Sequence, residues 1–277
     1  MAQKIVVISP LHNSGASTVA ALIAHNSACK GRSSMLCYTD PRSPIPDYFG
    51  IETNTDPTRT IMQVTKLIDA GGLSDQDIIQ YADKYDPRHD AYLLNTADPT
   101  LDENSRKQIV KFIFARAATN LVIVDVSEDL LDITAQELVE DADGVFIVIN
   151  PTKKHYERVR GWLRDPVIKD KPNSYVLVNN YHEVVAPARG IADQIGIKAI
   201  NLCKMHYNPW ICKCSHNSSL ADIVRTALVS DPRTVNIQND LTEIDSAIKS
   251  INNVAPTQDN AFLRFLDEKM AEFKARG

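Results

Sequence analysis

Short runs of Val, Ile and Leu that are apolar at successive positions, rather than at alternate ones, recur along this chain between longer stretches of helical periodicity. A strand wet on one face alternates polar and apolar residues, so these runs are strands buried on both faces, which is the pattern of a parallel sheet covered by helices. The runs span Lys4 to Pro10, Ser34 to Asp40, Tyr92 to Ala97, Leu121 to Val126, Val145 to Pro151 and Tyr175 to Tyr181, with a short strand over the KAIN segment at 198–201. Helical patterns fall between them at Gly15 to Cys29, Glu103 to Ala118, Ile133 to Glu140, His155 to Arg164 and Val184 to Ile195. Strand and helix in alternation build βαβ units, so the expected fold is α/β: a doubly wound, mainly parallel sheet with helices on both faces.

From Ser219 onward the strand signal stops, and helices are expected over Leu220 to Val229, Thr242 to Asn252 and Asn260 to Lys274, with Pro232, Asn253 and Pro256 as breakers. No linker is long or biased enough to mark a second domain, so one domain is expected over 1–277, a sheet core at about 4–202 and a helical part at about 218–277. With 44% hydrophobic and 23% charged residues, the chain falls outside the disordered and disulfide-scaffold classes. A net charge of −5 gives no field drawing the molecule as a whole to nucleic acid or to anionic membrane. The start of the chain lacks the pattern of a secretory signal and no stretch has the ~18 apolar residues of a membrane span, so a cytoplasmic protein is expected. Five cysteines are an odd number, and Cys29 and Cys37 lie in apolar segments, which fits reduced thiols.

In a doubly wound sheet, the turn from the first strand into the first helix presents backbone N–H groups and the positive end of the helix dipole, a ready place for a phosphate. Here that turn reads Ser9-Pro10-Leu11-His12-Asn13-Ser14-Gly15-Ala16-Ser17-Thr18. Small polar residues up to a glycine, then Ala-Ser-Thr opening an amphipathic helix, resemble the phosphate loop of the ParA/MinD family of P-loop ATPases. On that pattern Gly15 matches the last glycine, Ser17 the magnesium-binding hydroxyl and Thr18 the second hydroxyl, while the two family lysines fall on Leu11 and Ala16. The resemblance extends in order along the chain from about Lys4 to Val229. Asp40, after a second strand ending Tyr38-Thr39, matches the water-positioning aspartate, and Tyr38 takes the place of its partner aspartate. Asp125, in LVIVD, matches the aspartate that holds magnesium through water. An aspartate at a strand end also often merely caps the next helix or turn, but two together at the carboxyl edge are better explained as a metal and phosphate site.

The segment ending Asn179-Asn180-Tyr181 is similar to the adenine-reading strand of the family, with Asn179 in the reading position. The stretch Lys204-Met205-His206-Tyr207-Asn208-Pro209-Trp210 is similar to that of the CpaE/TadZ pilus-localisation subgroup, in which Tyr207, Pro209 and Trp210 would lie beside the base; as a plain reading, Tyr207 and Trp210 are core anchors. The resemblance implies a P-loop NTPase fold binding ATP with Mg through Asn13 to Thr18, a homodimer closing over nucleotide, and a protein partner in a pilus, secretion or conjugation machine. The absence of both lysines implies slow or absent hydrolysis. The alternative is a pseudo-ATPase scaffold that binds no nucleotide and acts through protein contacts.

Other constellations compete. Cys203, His206, Cys212, Cys214 and His216 offer enough thiolate and imidazole for a metal, although the paired C-x2-C spacing of strong zinc sites is missing, and a packed loop with incidental cysteines is the simpler reading. Lys153, Lys154, Arg158 and Arg160 form a basic cluster after the fifth strand, most simply a solvated helix face; the sharper reading is that Lys153 or Lys154 supplies, within the chain or across a dimer, the phosphate charge that Leu11 and Ala16 cannot give. No serine-hydrolase or zinc-protease motif is present. Phe262, Leu263, Phe265, Leu266, Met270 and Phe273 give the last helical stretch an apolar side suited to core packing or to a partner.

Overall fold

The computed structural model describes residues 2–51, 77–94, 102–127, 129–184, 186–229 and 231–251, together with 64, 66, 67, 70 and 72. The expected helix over Asn260 to Lys274, with its apolar side, lies outside the described residues, as do the last three residues of the run expected at Tyr92 to Ala97. The strands are β1 (Gln3–Ile8), β2 (Ser34–Tyr38), β3 (Asp83–Asp86), β4 (Ala91–Leu93), β5 (Leu121–Val126), β6 (Gly144–Ile149), β7 (Ser174–Tyr181) and β8 (Leu202–His206). They form one sheet in the order β3-β4-β2-β5-β1-β6-β7-β8, parallel throughout except for β3 against β4. The chain travels outward one way from β1 to β2 and β4, returns to β5 beside β1, and then runs the other way to β8. This reversal at the centre is where doubly wound sheets open a crevice at the carboxyl ends of their strands.

Side chains alternate across the sheet and so divide the core in two. Ile5, Val7, Leu36, Tyr38, Ile123 and Phe146 pack under α1 (Ala16–Cys29), α9 (Leu220–Leu228) and α10 (Val235–Ile251). Val6, Ile8, Met35, Val122, Val124 and Ile147 pack on the opposite side with α3 (Glu103–Arg116), α4 (Ile133–Asp141), α5 (Lys153–Trp162) and α7 (Ala188–Ile195). Three short helices complete the connections: α2 (Ile45–Tyr48), α6 (Pro166–Lys169) and α8 (Pro209–His216). Among the described residues no helix is long and apolar enough to cross a membrane.

Several expected boundaries shift. The KAIN strand is instead a 3-10 turn at Ala199–Asn201, and the strand follows it as β8, where Cys203 and Met205 are buried while Lys204 and His206 are half-exposed. As an edge strand, β8 carries polar residues that hide its run. β3, with sequence DKYD, gives no apolar signal for the same reason, charge being how an edge strand avoids further pairing. Pro232 is a starter and not a breaker: Asp231 accepts from the Arg233 amide at 2.8 Å, a 3-10 turn forms over Pro232–Thr234, and α10 continues from it at Val235, seven residues before the expected start. Pro187, in extended conformation, delays α7 to Ala188 from the expected Val184.

Candidate functional site

The turn after β1 is built by two left-handed residues, Asn13 at φ 60° and Gly15 at φ 85°. Alternating handedness aims successive N–H groups into one concavity, the arrangement that receives anions. Among the described residues, the backbone N–H groups of His12 to Thr18 donate to no protein acceptor, and the last three of them form the open first turn of α1. Two neighbouring strands brace the loop from outside. The Asn179 amide, one residue past Val178 in β7, donates to the Ser14 carbonyl at 2.8 Å, and the Asn150 amide, just past β6, donates to the Asn13 carbonyl at 3.2 Å. Asn180, itself at φ 52°, donates to Asn150 at 3.1 Å, so the loop rests on a chain of three asparagines. Gly15 is required by more than its φ: a Cβ there would sit 2.2 Å from Asn179 Nδ2.

Asp125 lies beside Val7 of β1 and Tyr38 of β2 at the carboxyl edge, 3% exposed, and by alternation it projects to the α1 side of the sheet with Leu121 and Ile123. Its carbonyl accepts from the Thr39 amide at 3.1 Å, tying the ends of β2 and β5 together. Thr18, on the first turn of α1, meets the Tyr48 hydroxyl at 3.0 Å. Burial pushes the Tyr48 hydroxyl pKa up and the carboxylates of Asp125 and Asp47 push it further, while the Thr18 bond acts against them. Tyr48 thus closes the side of the crevice between α1 and Asp125. Sequence reading missed it, because a tyrosine 30 residues from its partner in an irregular, proline-rich stretch carries no local signal. Asp40 follows β2 by two residues and its carboxylate is held by Arg42, whose amide donates at 2.9 Å and whose Nε donates at 3.2 Å. Tyr38, where the resemblance would set a first aspartate, is fully buried in the core.

The remaining candidates sit farther along the same edge. Asn208 caps α8 by accepting from the Trp210 amide at 2.9 Å, with Pro209 in the first turn, where its missing N–H costs nothing. Trp210 lies between two cations, Lys213 at 4.6 Å and Arg233 at 4.9 Å, and Tyr207 is 56% exposed. The reading of Tyr207 as a core anchor therefore fails; its ring faces solvent. The cysteine and histidine cluster is dispersed. Cys203 is buried on β8 with its thiol pushed up to about 12 by burial, and His206 is held by Asp240 through Nδ1 at 2.8 Å. Cys212, Cys214 and His216 belong to α8 and not to a loop or an extended segment, so Cys212 and Cys214 project to different sides. No group of three metal-capable side chains is found among the described residues.

These residues fit the geometry of a bound phosphate better than its charge. The loop offers open amides and Asp125 stands at the same sheet edge, while the Thr18 hydroxyl is engaged by Tyr48 and residues 9–18 contain no lysine or arginine. No protein-family model and no curated protein matches the sequence. Solved structures do match its fold. A ParA family ATPase from Chlorobium tepidum superposes with a TM-score of 0.66 at 14% identity, covering 89% of this chain and 99% of that one. The MinD cell division protein of Aquifex aeolicus gives 0.63 at 16% identity, covering 92% of this chain and 100% of the other. The septum site-determining protein MinD of Pyrococcus horikoshii, solved with Mg-ADP, gives 0.65 at 14% identity over 88% and 96%. The chain has the fold of the MinD and ParA P-loop ATPases, and the resemblance of its sequence to that family agrees with this.

Proposed function

We propose that this chain binds Mg-ATP at the loop from Asn13 to Thr18 and uses binding, with slow or absent hydrolysis, to dimerise and to localise or assemble a protein partner, such as a pilus, secretion or conjugation apparatus. The observation that carries the reading is the run of unpaired amides from His12 to Thr18 at the carboxyl edge of a sheet whose fold is that of nucleotide-dependent ATPases. In it, Ser17 and Asp125 hold magnesium, Asp40 stands near the terminal phosphate, and Asn179, Tyr207, Pro209 and Trp210 border the base. The Mg-ADP in one structural neighbour, and the MinC:MinD complex formed by another, support the nucleotide and the protein partner as the classes to test. Bound magnesium would neutralise phosphate charge that the loop's own side chains leave uncompensated.

Asn179 qualifies this picture. One N–H of its side-chain amide is engaged with the Ser14 carbonyl, so in this conformation it braces the loop, with its second N–H and its oxygen left to face a base. The second reading, a scaffold without nucleotide, draws support from Leu11 and Ala16 standing where charge would be expected. Calorimetric titration of ATP and ADP with and without magnesium, alongside measurement of molecular mass in solution, separates the two. The expected result is magnesium-dependent ATP binding, weakened ~10-fold or more by Ser17→Ala or Asp125→Asn, with a shift from one protomer to two. No binding at millimolar ATP would establish the scaffold instead.

A further inference from the structure

We infer that Lys154 supplies, within the same chain, the positive charge that the phosphate loop lacks; this rests on the nucleotide-binding reading above. Leu11, half-buried at the front of the loop, shares a surface cavity of about 430 Å³ with Lys154, Glu157 and Arg158. The juxtaposition results from the way α5 begins. β6 ends at Ile149, Asn150 is bonded to the loop at Asn13, and Thr152 caps α5 by accepting from the His155 amide, so the first turn of α5 rises beside Leu11.

The charges in this patch are not equivalent. Arg158 donates to Asp129 at 2.7 Å, and Glu157 faces Lys153 at 3.9 Å. Lys154 is exposed and has no ion-pair partner among the described residues, so it is the cation left to answer an anion arriving at the loop. A lysine ammonium on its four-carbon stem is a mobile point charge with three donors, suited to a polyphosphate whose backbone contacts are already fixed by amides. Its position in the helix after β6 differs from both loop positions, 11 and 16, at which the resemblance would set a lysine.

The test titrates Mg-ATP into the full chain and into four variants at low and high salt, with thermal melts confirming that each is folded. Lys154→Ala is expected to weaken binding ~10-fold at low ionic strength and much less at ~0.5 M salt, where screening takes over. Lys154→Arg should bind nearly as the parent does, and Leu11→Lys combined with Lys154→Ala should recover most of the loss. Arg160→Ala, on the same helix but outside the cavity, should bind as the parent does; a loss equal to that of Lys154→Ala would reveal a general field and overturn the inference. Unchanged binding in Lys154→Ala overturns it outright while leaving the nucleotide reading intact. Absence of binding in the unmodified chain removes both.

Discussion

At single positions the site depends most on Gly15. Its φ of 85° suits glycine, and its missing Cβ leaves the space that Asn179 fills. Gly15→Ala is therefore expected to destabilise the protein by ~1–3 kcal/mol, combining left-handed strain with a clash against Asn179. Adding Asn179→Gly to that variant should recover only the part due to the clash, which denaturant unfolding of the two single variants and the double variant measures. The pattern of small residues ending in a glycine was readable in the sequence because it encodes a backbone shape. That Asn179, far along the chain, would brace this glycine was not, because only the pairing of β6 with β7 and of β1 with β6 brings them together.

Among the elements, α10 holds the sheet edge and α1 in one unit. Asp240 accepts from the His206 backbone amide at 2.7 Å and from its ring at 2.8 Å, anchoring β8. Asp245, five residues on, takes Lys30 at 3.1 Å and also Arg32, both just past the end of α1, where cations favour the helix dipole. Burial raises the Asp240 pKa while the His206 bonds act against it. Asp240→Ala leaves two donors of β8 without their acceptor and is expected to cost ~2–3 kcal/mol, with faster amide exchange confined to β8 and the following turn. Asp240→Asn, which keeps one acceptor oxygen, should lose less. The apolar spacing of Ile244, Ile248 and Ile251 made the later part of this helix legible, yet the seven residues from Val235, with Ile237 and Leu241, were missed after a proline read as a stop. The edge strand β3 escaped notice and β8 was expected a few residues early for a related reason: their polar residues answer to solvent, and periodicity reports burial.

At the scale of the whole molecule, the protonation of a buried histidine opposes folding. His25 on α1 is 1% exposed, 3.5 Å from Asp86 and 3.4 Å from the Cys29 sulfur, with Arg225 and His89 nearby. Burial lowers its pKa to about 4, the carboxylate of Asp86 acting in the opposite direction. Between pH 6.5 and about 4 the unfolded chain takes a proton that the folded one refuses, so stability is full above this window and falls as pH drops through it. At 1.36 kcal/mol per pKa unit the loss attributable to His25 is on the order of 3 kcal/mol. Urea unfolding at about pH 7 and about pH 4.5 tests this: His25→Gln should lose markedly less stability than the parent over the same interval, and equal losses would assign the effect to other groups.

The fold class and the place of the crevice were legible along the chain, because burial on both faces of a strand leaves a mark at every position, and a helix opening after a glycine-bearing turn leaves a local one. Ser17, Asp40 and Asp125 were singled out as candidates by the resemblance to the ParA/MinD pattern, at the ends of strands and at a helix start that the sequence marks. How these ends meet emerges from the packing of the folded chain. Tyr48 against Thr18, Asn150 and Asn179 beneath the loop, Lys154 beside Leu11, and the dispersal of the cysteines over β8 and α8 all depend on distances between elements far apart in the chain. Such distances are fixed by the order of strands in the sheet and by the packing of its two cores, which no single stretch of sequence records.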